Sequence, residues 1–495
     1  MQFFRTPFAP PPKARRPRLS ALALSLALLS AAAAAQDTAP PPAPEDIAER
    51  LRIVERRLGI AADEGAARND LAELDRRLRA IELGLDERDR QSALARAAPP
   101  PAESRPGPEI TLTADKGASI RSADGSVQLK LGVLAQADRR IFIDDDQRPQ
   151  NDTFLWRRIR PTLQGSWGEL VGFRVTPEFA GDSASIVDAY VDLKFSPAAT
   201  LRVGKVKGPV ALERLQGGAA TAFIERGFPT ELAPNRDIGL QLQGALAASK
   251  VDYVVGVYNG APDGRDSPTT NPDDDFEFAG RVFVEPWKGG DGALSGLGFG
   301  IAASTGDKHG AGNSFLPRYR SPGQSTFFSY LAGVAADGEH TRWSPQAWWY
   351  AGPVGVLGEY IRSEQEVVET TSGGRASLDH SAWQLTGSWV LTGEKASYRG
   401  VRPDSPFAPS KGGWGAFELV ARYGELDVDD AAFPLFASTT ASASEATAWT
   451  LGLNWYPTGN LKLVANYAHA SFDGGAAGGD REDEKTFITR AQFSF

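Results

Sequence analysis

The feature that most constrains the fold is an alternation of apolar and polar residues that recurs along the chain from Val127 to Phe495. In the stretch from Val127 to Asp138, every odd-numbered residue is apolar and the even-numbered residues are mostly polar. A period of two is typical of a β-strand with one apolar face. The alternating segments are roughly 10–12 residues long, which suits strands that cross a bilayer at a tilt.

The chain has no run of ~20 apolar residues, the length that a transmembrane helix needs. A chain that crosses a membrane without such helices must pair its backbone groups in a closed barrel. The connections favour a barrel, because short turns alternate with long loops, as in outer-membrane barrels. Short turns fall at 168–169, 196–200, 248–250, 352–353 and 457–460, and long loops near 139–153, 207–236, 260–274, 306–338, 364–378, 429–444 and 473–483.

The segments predict sixteen strands when residues 325–337 are assigned to a folded external loop, and seventeen otherwise. Because single-chain bacterial barrels have even strand numbers, we expect sixteen, and a barrel of that size encloses an aqueous lumen. The connection at 393–413 is an exception, because it is long where a short periplasmic turn is expected. Aromatic residues at segment ends fit a girdle at both membrane interfaces; they include Trp156, Trp167, Trp287, Trp389 and Trp414.

One connection, inside the stretch from Leu201 to Gly244, runs for about thirty residues without a strand pattern, and loops of this length are usually functional or disordered. Apolar residues such as Val210 and Phe223 stand beside charged ones such as Glu225, which predicts a folded loop that bends into the lumen and narrows it. The predicted fold class is an all-β, 16-stranded antiparallel transmembrane β-barrel with an inward-folded third loop, preceded by a short N-terminal α-helical coiled-coil arm.

Residues 1–35 have the pattern of a secretory signal peptide, with a basic segment, an apolar core and a run of alanines. Residues 36–98 repeat leucine and isoleucine at steps of three and four, which predicts a periplasmic coiled-coil arm that helps a trimer form. The alternative is a single amphipathic helix on the barrel rim, or a frayed tail. A Pro-rich linker over 99–114 would join this arm to an outer-membrane barrel over 115–495.

Composition excludes several functions. The chain has no cysteine, so no disulfide or thiolate metal site is available, and a net charge of −9 argues against a general nucleic-acid binder. The four histidines lie outside any recognisable catalytic motif. We therefore predict that the protein is not an enzyme and needs no cofactor or metal, since acidic runs at 144–146 and 273–275 are typical of solvated loops.

The chain resembles the phosphate-selective porin O/P family of Gram-negative outer membranes in several stretches that occur in order: WRRIRPTLQGSWGE, DAYVDLKFSPAATLRVGKVKGPVALERL, AFIERGFPTELAPNRDIGLQLQG, WGAFELVARYGELDVDD and the closing RAQFSF. The resemblance implies a trimeric porin whose third loop folds into the pore and whose lumen carries a series of arginines. Matching basic residues fall at Arg157, Arg158, Arg214, Arg226, Arg318 and Arg320.

Two departures from the family pattern weaken the expectation of tight phosphate binding. Leu134 stands where phosphate-selective members carry a lumen arginine, and a second lysine of the constriction loop has no counterpart in the segment GGAAT. The resemblance therefore implies a pore for small anions or other small solutes more generally.

Strand parity places several basic residues on the lumen side, with the acids Glu178, Asp188 and Asp192 opposing them. A guanidinium is permanently charged, and its donors suit phosphate or carboxylate oxygens. We expect Arg158 and Arg214 at the narrowest point, with Arg226 braced by Glu225. The candidate pore-lining or anion-binding residues are Lys130, Arg158, Arg160, Arg174, Arg202, Arg214, Arg226, Arg318 and Arg320.

The predicted function is passive diffusion of small solutes, above all anions such as phosphate, through a water-filled channel in the outer membrane of a Gram-negative bacterium. Such a porin would contact outer-membrane lipid and lipopolysaccharide, assemble as a homotrimer and bind no nucleic acid. The alternatives are a general small-solute porin and an envelope tether whose arm binds peptidoglycan or another envelope protein. A barrel hydrolase is the least supported, because no nucleophile and base stand in a known motif.

Overall fold

The structure is a computed structural model that describes residues 49–50, 52–53, 71–97, 107–113 and 117–495. The chain divides into two compact units, Met1–Ser104 and Arg105–Phe495. The predicted signal peptide lies outside the described residues, as do most of the first half of the predicted arm, its last residue, and residues 99–106 and 114 of the predicted linker.

The first unit contains one long helix, α1 (Leu71–Ala97). Leu78 is buried, and Ile81 and Leu85 are half-buried, so the leucine and isoleucine stripe lies on the less exposed side of the helix. Arg50 Nη2 lies 2.7 Å from Glu82 Oε1, an ion pair between the earlier helical residues and α1. Among the described residues, no helix has the length and hydropathy to cross a membrane.

The second unit is built almost entirely of strands. Sixteen of them, β3–β11, β14–β19 and β21, pair antiparallel with their neighbours, and β21 pairs with β3 to close the barrel. The strands are β1 (Glu109–Thr113), β2 (Gly117–Arg121), β3 (Val127–Ile143), β4 (Thr153–Trp167), β5 (Val171–Glu178), β6 (Ser185–Ser196), β7 (Ala199–Val206), β8 (Asp237–Leu246), β9 (Val251–Tyr258), β10 (Glu277–Val284), β11 (Leu297–His309), β12 (Arg318–Arg320), β13 (Thr326–Ser329), β14 (Val334–Ala351), β15 (Val354–Glu369), β16 (Arg375–Val390), β17 (Ala416–Asp427), β18 (Ala443–Tyr456), β19 (Leu461–Ala476), β20 (Gly479–Asp480) and β21 (Glu484–Ser494).

The barrel confirms the strand parity that the sequence predicts. On β3, Leu131 is exposed on the outer face, whereas Gln136 and Asp138 are buried inside. The aromatic residues at the strand ends, including Trp156, Trp167 and Trp414, are exposed on the outside, as an interfacial girdle requires.

Three connections differ in extent from the sequence prediction. Strand β14 begins at Val334, inside the segment assigned to an external loop, although Thr326–Ser329 does belong to a small loop hairpin with β12. The predicted long loop at 364–378 is wrong, because only residues 370–374 separate β15 from β16. Residues Glu109–Thr113, inside the predicted linker, form β1 and pair with β2. The connection between β16 and β17, residues 391–415, is long as expected.

The main hydrophobic core lies inside the barrel, toward the end that carries the long loops. The β12–β13 hairpin contributes Tyr319, Phe327 and Phe328, and the β17–β18 connection contributes Phe436. These rings pack against Phe228 of the connection between β7 and β8. Three connections therefore fold inward and fill part of the lumen, and this arrangement positions the site described next.

Candidate functional site: a constriction inside the barrel

The constriction loop, residues 207–236 between β7 and β8, folds into the lumen and is almost completely buried. Val210, Leu212, Phe223 and Ile224 are at most 2% exposed. The loop contains one α-helical turn, α2 (Leu212–Leu215), and a 3-10 turn at Phe228–Thr230, but most of its backbone lacks regular structure. Buried backbone donors and acceptors need partners, so the barrel wall has to supply them.

The wall supplies these partners from polar side chains on one strand after another. Glu359 on β15 accepts a hydrogen bond from the Leu212 amide at 2.6 Å, and Asn454 on β18 donates to the Ala222 carbonyl at 2.9 Å. Arg490 on β21 donates to the Ile224 carbonyl at 2.8 Å. Other side chains that bind the loop include Gln136, Gln346, Gln384, Arg422, Lys462, Asn466 and Gln492.

Glu225 is the main acidic centre of the constriction. Its carboxylate binds Arg157 at 2.7 Å and Arg140 at 2.9 Å, and Arg490 lies 3.9 Å away. Burial disfavours the charged carboxylate, but these guanidinium groups dominate and hold the pKa of Glu225 well below its usual range. The predicted Glu225–Arg226 pairing is therefore replaced by pairing of Glu225 with arginines of the barrel wall.

A β-bulge in β4 lets two consecutive arginines face the lumen. Gln136 pairs with Arg158 and Ala137 pairs with Trp156, so Arg157 is the extra residue. Arg157 reaches Glu225, and Arg158 Nη1 donates to Gln136 Oε1 at 2.6 Å. Strict alternation places only Arg158 on the lumen side. Strand parity therefore did not predict that Arg157 also faces the lumen.

The bases on the facing wall pair with acids of the neighbouring strand. Arg160 Nε lies 2.6 Å from Glu178, and Arg202 binds Asp192 with two hydrogen bonds of 2.7 and 2.9 Å. Arg174 lies 4.0 Å from Asp188. These pairs cancel much of the charge that each base would otherwise present to a solute.

Exposure shows where the lumen stays open. The side chains of Arg174, Arg157 and Arg202 are 37, 27 and 21% exposed, whereas those of Arg422 and Arg490 are 6 and 2% exposed. The constriction loop covers the inner wall formed by β14–β19, β21 and β3 and reaches the edge of β4. The open part of the lumen therefore lies along β4 to β7.

Four bases of the constriction form no ion pair with any acid in the described part of the chain. Arg226 donates to the carbonyls of Glu213 at 3.0 Å and Gln216 at 2.9 Å, and Lys207 donates to the Gln216 carbonyl at 2.7 Å. Arg214 is buried and binds the Thr230 carbonyl and Asn235, while Arg158 has only Gln136.

Two of these bases keep their charge at neutral pH. Burial, together with the neighbouring Arg226, lowers the pKa of Arg214 to about 9. Burial also lowers the pKa of Arg226 to about 10. The constriction therefore carries positive charge that its own acids do not pair.

The remaining predicted residues lie at the two ends of the lumen. Lys130 is exposed on β3 where β2 pairs with it, and Arg318 is exposed on β12. Arg320 lies 3.4 Å from Glu231 and lines one cavity with Arg226 and Arg422.

Metal-ligating groups come together once among the described residues. Asp273 and Asp275, in the connection between β9 and β10, lie beside His309 at the end of β11, and His309 Nδ1 is 3.0 Å from Asp275. That distance is an ordinary hydrogen bond, which accounts for the contact without a metal.

A closed sixteen-stranded barrel whose third loop narrows a charged lumen defines the class of porins. Residues 127–495 match the family described as Phosphate-selective porin O and P, and the chain belongs to this family. Family and fold locate the protein in the outer membrane of a Gram-negative bacterium and point to a channel rather than an enzyme.

Relatives of this chain include Porin O of Pseudomonas aeruginosa, which is 23% identical over 427 residues that cover 79% of this chain and 93% of that protein. An uncharacterised protein of Caulobacter vibrioides is 26% identical over 415 residues, which cover 79% of this chain and 78% of that protein. Similar solved structures include the channel DcaP of Acinetobacter baumannii, with a TM-score of 0.49, 12% identity and coverage of 75% of this chain and 98% of that chain. The anion-selective porin from Comamonas acidovorans has a TM-score of 0.45, 12% identity and coverage of 74 and 100%.

Proposed function

We propose that this porin passes small anions, phosphate among them, with a mild preference over cations. The observation that carries the proposal is the group of Arg158, Arg214, Arg226 and Lys207, which form no ion pair in the described part of the constriction. The positive charge of the three guanidinium groups attracts anions, and their incomplete exposure limits how tightly any single anion binds. Weak binding at several sites is what conduction requires.

In this proposal, the predicted residues act at three levels of the lumen. Arg318 and Arg320 attract anions at the external mouth, and Arg158, Arg214 and Arg226 set the field of the constriction. The remaining bases lie along the path on the open side of the lumen and toward its periplasmic end: Lys130, Arg160, Arg174 and Arg202.

A general small-solute porin is the second candidate function. The pairing of Arg160 with Glu178 and of Arg202 with Asp192 favours it, because paired charges give little selectivity. Phosphate-specific binding has less support, since Leu134 stands in place of the expected arginine.

We further propose that residues 36–98 form a periplasmic arm of a homotrimer, after removal of residues 1–35 and ahead of a linker and barrel over 99–114 and 115–495. The three- and four-residue spacing of Leu71, Leu74, Leu78, Ile81 and Leu85 supports this proposal, because that spacing is typical of a coiled-coil seam. Chemical cross-linking of the protein with and without residues 36–98 tests whether the arm contributes to trimers.

The reversal potential of single channels in a KCl gradient tests the proposed selectivity. The intact protein should prefer chloride. Arg226→Gln should lower the chloride permeability about fivefold, since a unit charge 4 Å from an ion in a water-like medium contributes about 1 kcal/mol. The chloride-to-potassium permeability ratio should fall by at least that factor, because the same charge also repels potassium. Arg375→Gln is the matched control, because Arg375 is exposed and ion-paired with Asp337. Cation preference in the intact protein would refute the proposal, and current block by added phosphate would identify a specific phosphate site.

A further inference from the structure

The long turn, residues 391–415 between β16 and β17, is longer than the other turns at its end of the barrel. Other turns at this end range from two residues, at 197–198 and 352–353, to twelve residues, at 285–296. The long turn is held to the barrel rim at both ends, where Ala396 N donates to the Gly352 carbonyl at 2.9 Å and Phe407 N donates to the Pro457 carbonyl at 2.7 Å. Its apolar residues pack in a small core of their own with Tyr456.

The middle of the long turn contacts the constriction loop directly. Tyr398 Oη donates to the Leu212 carbonyl at 2.6 Å, and Gln216 Nε2 donates to the Tyr398 carbonyl at 2.6 Å. The Tyr398 ring also stacks on Trp348 of β14, with ring centroids 4.5 Å apart. The long turn is therefore joined to both ends of the helical turn α2 and to the wall beside it.

The same helical turn holds two of the bases that form no ion pair. Arg226 binds the carbonyls of Glu213 and Gln216, and Lys207 binds those of Leu215 and Gln216. Any movement of residues 212–216 therefore moves both side chains. Glu359 holds the amides of this turn from the barrel wall, and Tyr398 holds its Leu212 carbonyl from the periplasmic side.

We propose that the long turn is a periplasmic clamp on the constriction, in which Tyr398 is a positioning residue that fixes where Arg226 and Lys207 stand in the lumen. This inference rests on the proposed function for the direction of selectivity, but its effect on loop position does not depend on which ion is preferred.

Single-channel recording of Tyr398→Phe tests the clamp. This change removes one hydrogen bond and keeps the stacked ring. Loss of one neutral hydrogen bond should raise the time spent in sub-conductance states about fivefold, the factor equivalent to about 1 kcal/mol. The chloride-to-potassium permeability ratio should fall at the same time. Gln216→Leu breaks the contact from the loop side and should act in the same direction.

Tyr253→Phe is the matched control, because Tyr253 Oη also donates to a backbone carbonyl at this end, that of Ala198 at 2.7 Å, away from the constriction. It should leave conductance and selectivity at the values of the intact protein. A variant that fails to fold would show the same mobility on SDS gels with and without heating. The clamp is overturned if folded Tyr398→Phe and Gln216→Leu both match Tyr253→Phe. If the intact protein prefers cations, the proposed function fails, whereas extra sub-conductance in Tyr398→Phe alone would still support the clamp.

Discussion

The seam that closes the barrel contains a buried ion pair whose loss should be costly. Asp138 on β3 stands opposite Arg490 on β21, and two hydrogen bonds of 2.7 Å join the two groups. Their side chains are 0 and 2% exposed. Asp138→Asn removes the negative charge without changing the shape, and Glu225, already bound to Arg140 and Arg157, cannot replace it.

Removal of one partner from a buried pair costs about 3–5 kcal/mol of unfolding free energy. That loss lowers the folding equilibrium constant by roughly two to four powers of ten. The measurement is urea unfolding of the barrel in detergent micelles, followed by tryptophan fluorescence and by the mobility of unheated samples on SDS gels. A double variant, Asp138→Leu with Arg490→Met, should recover most of the loss, because an apolar pair leaves no buried charge alone.

Asp144→Asn is the control for this prediction. Asp144 lies just beyond β3 and pairs with Lys485 of β21 at 3.0 Å, so the same substitution breaks a pair between the same two strands. The side chains of Asp144 and Lys485 are 71 and 32% exposed, far more than those of Asp138 and Arg490, and the loss should be at most about 1 kcal/mol. Equal losses in Asp138→Asn and Asp144→Asn would show that burial does not set the cost, and the reasoning would be wrong.

Two further predictions concern the constriction. Because its guanidinium partners hold the pKa of Glu225 well below its usual range, this group adds stability that is fully present above the unfolded carboxyl pKa of about 4.3 and is lost only as pH falls through the lower folded value. We therefore expect Glu225→Gln to lower the unfolding free energy by the same amount at pH 8 and at pH 5, and a smaller loss at pH 5 would show that Glu225 titrates in that window. Gly227→Ala would place a methyl group 1.9 Å from Gln384 Oε1, and the amide of Gln384 bridges Glu213 and Glu359. This variant should therefore lose about 1–3 kcal/mol of unfolding free energy and change the single-channel conductance. Gly217→Ala in the same loop is the control, because the added methyl group meets no atom within 4 Å, and it should leave both quantities unchanged.

The sequence predicts the barrel well because alternation reports which face of a strand is apolar. The same alternation predicts the wrong end point for a strand that extends beyond the bilayer. On β15, Arg362, Glu364 and Glu366 are exposed and polar, while the residues between them stay buried. The outer face there contacts water instead of lipid, so the apolar face disappears although the strand continues. This is why the predicted loop at 364–378 is too long.

The constriction is predicted only in part, because its partners are distant in sequence. Gln384, Asn454 and Asn466 stand at lumen positions in the middle of their strands, which the alternation shows. Their function as hydrogen-bond partners of one loop appears only when the barrel closes and brings these strands around it. The bulge at Arg157 is invisible for another reason, since one extra residue leaves both flanking alternations intact.

The net charge of −9 does not oppose an anion preference, because many of the acids are exposed in loops whereas the bases of the constriction are buried. Acids such as Asp144 are exposed in loops, 71% in that case, where physiological salt screens a charge beyond about 8 Å. Arg158 and Arg214 are buried, 5 and 8% exposed, where screening is much weaker. A permeating ion therefore responds mainly to the charges of the constriction. The bases there that form no ion pair determine the expected selectivity more than the total charge does.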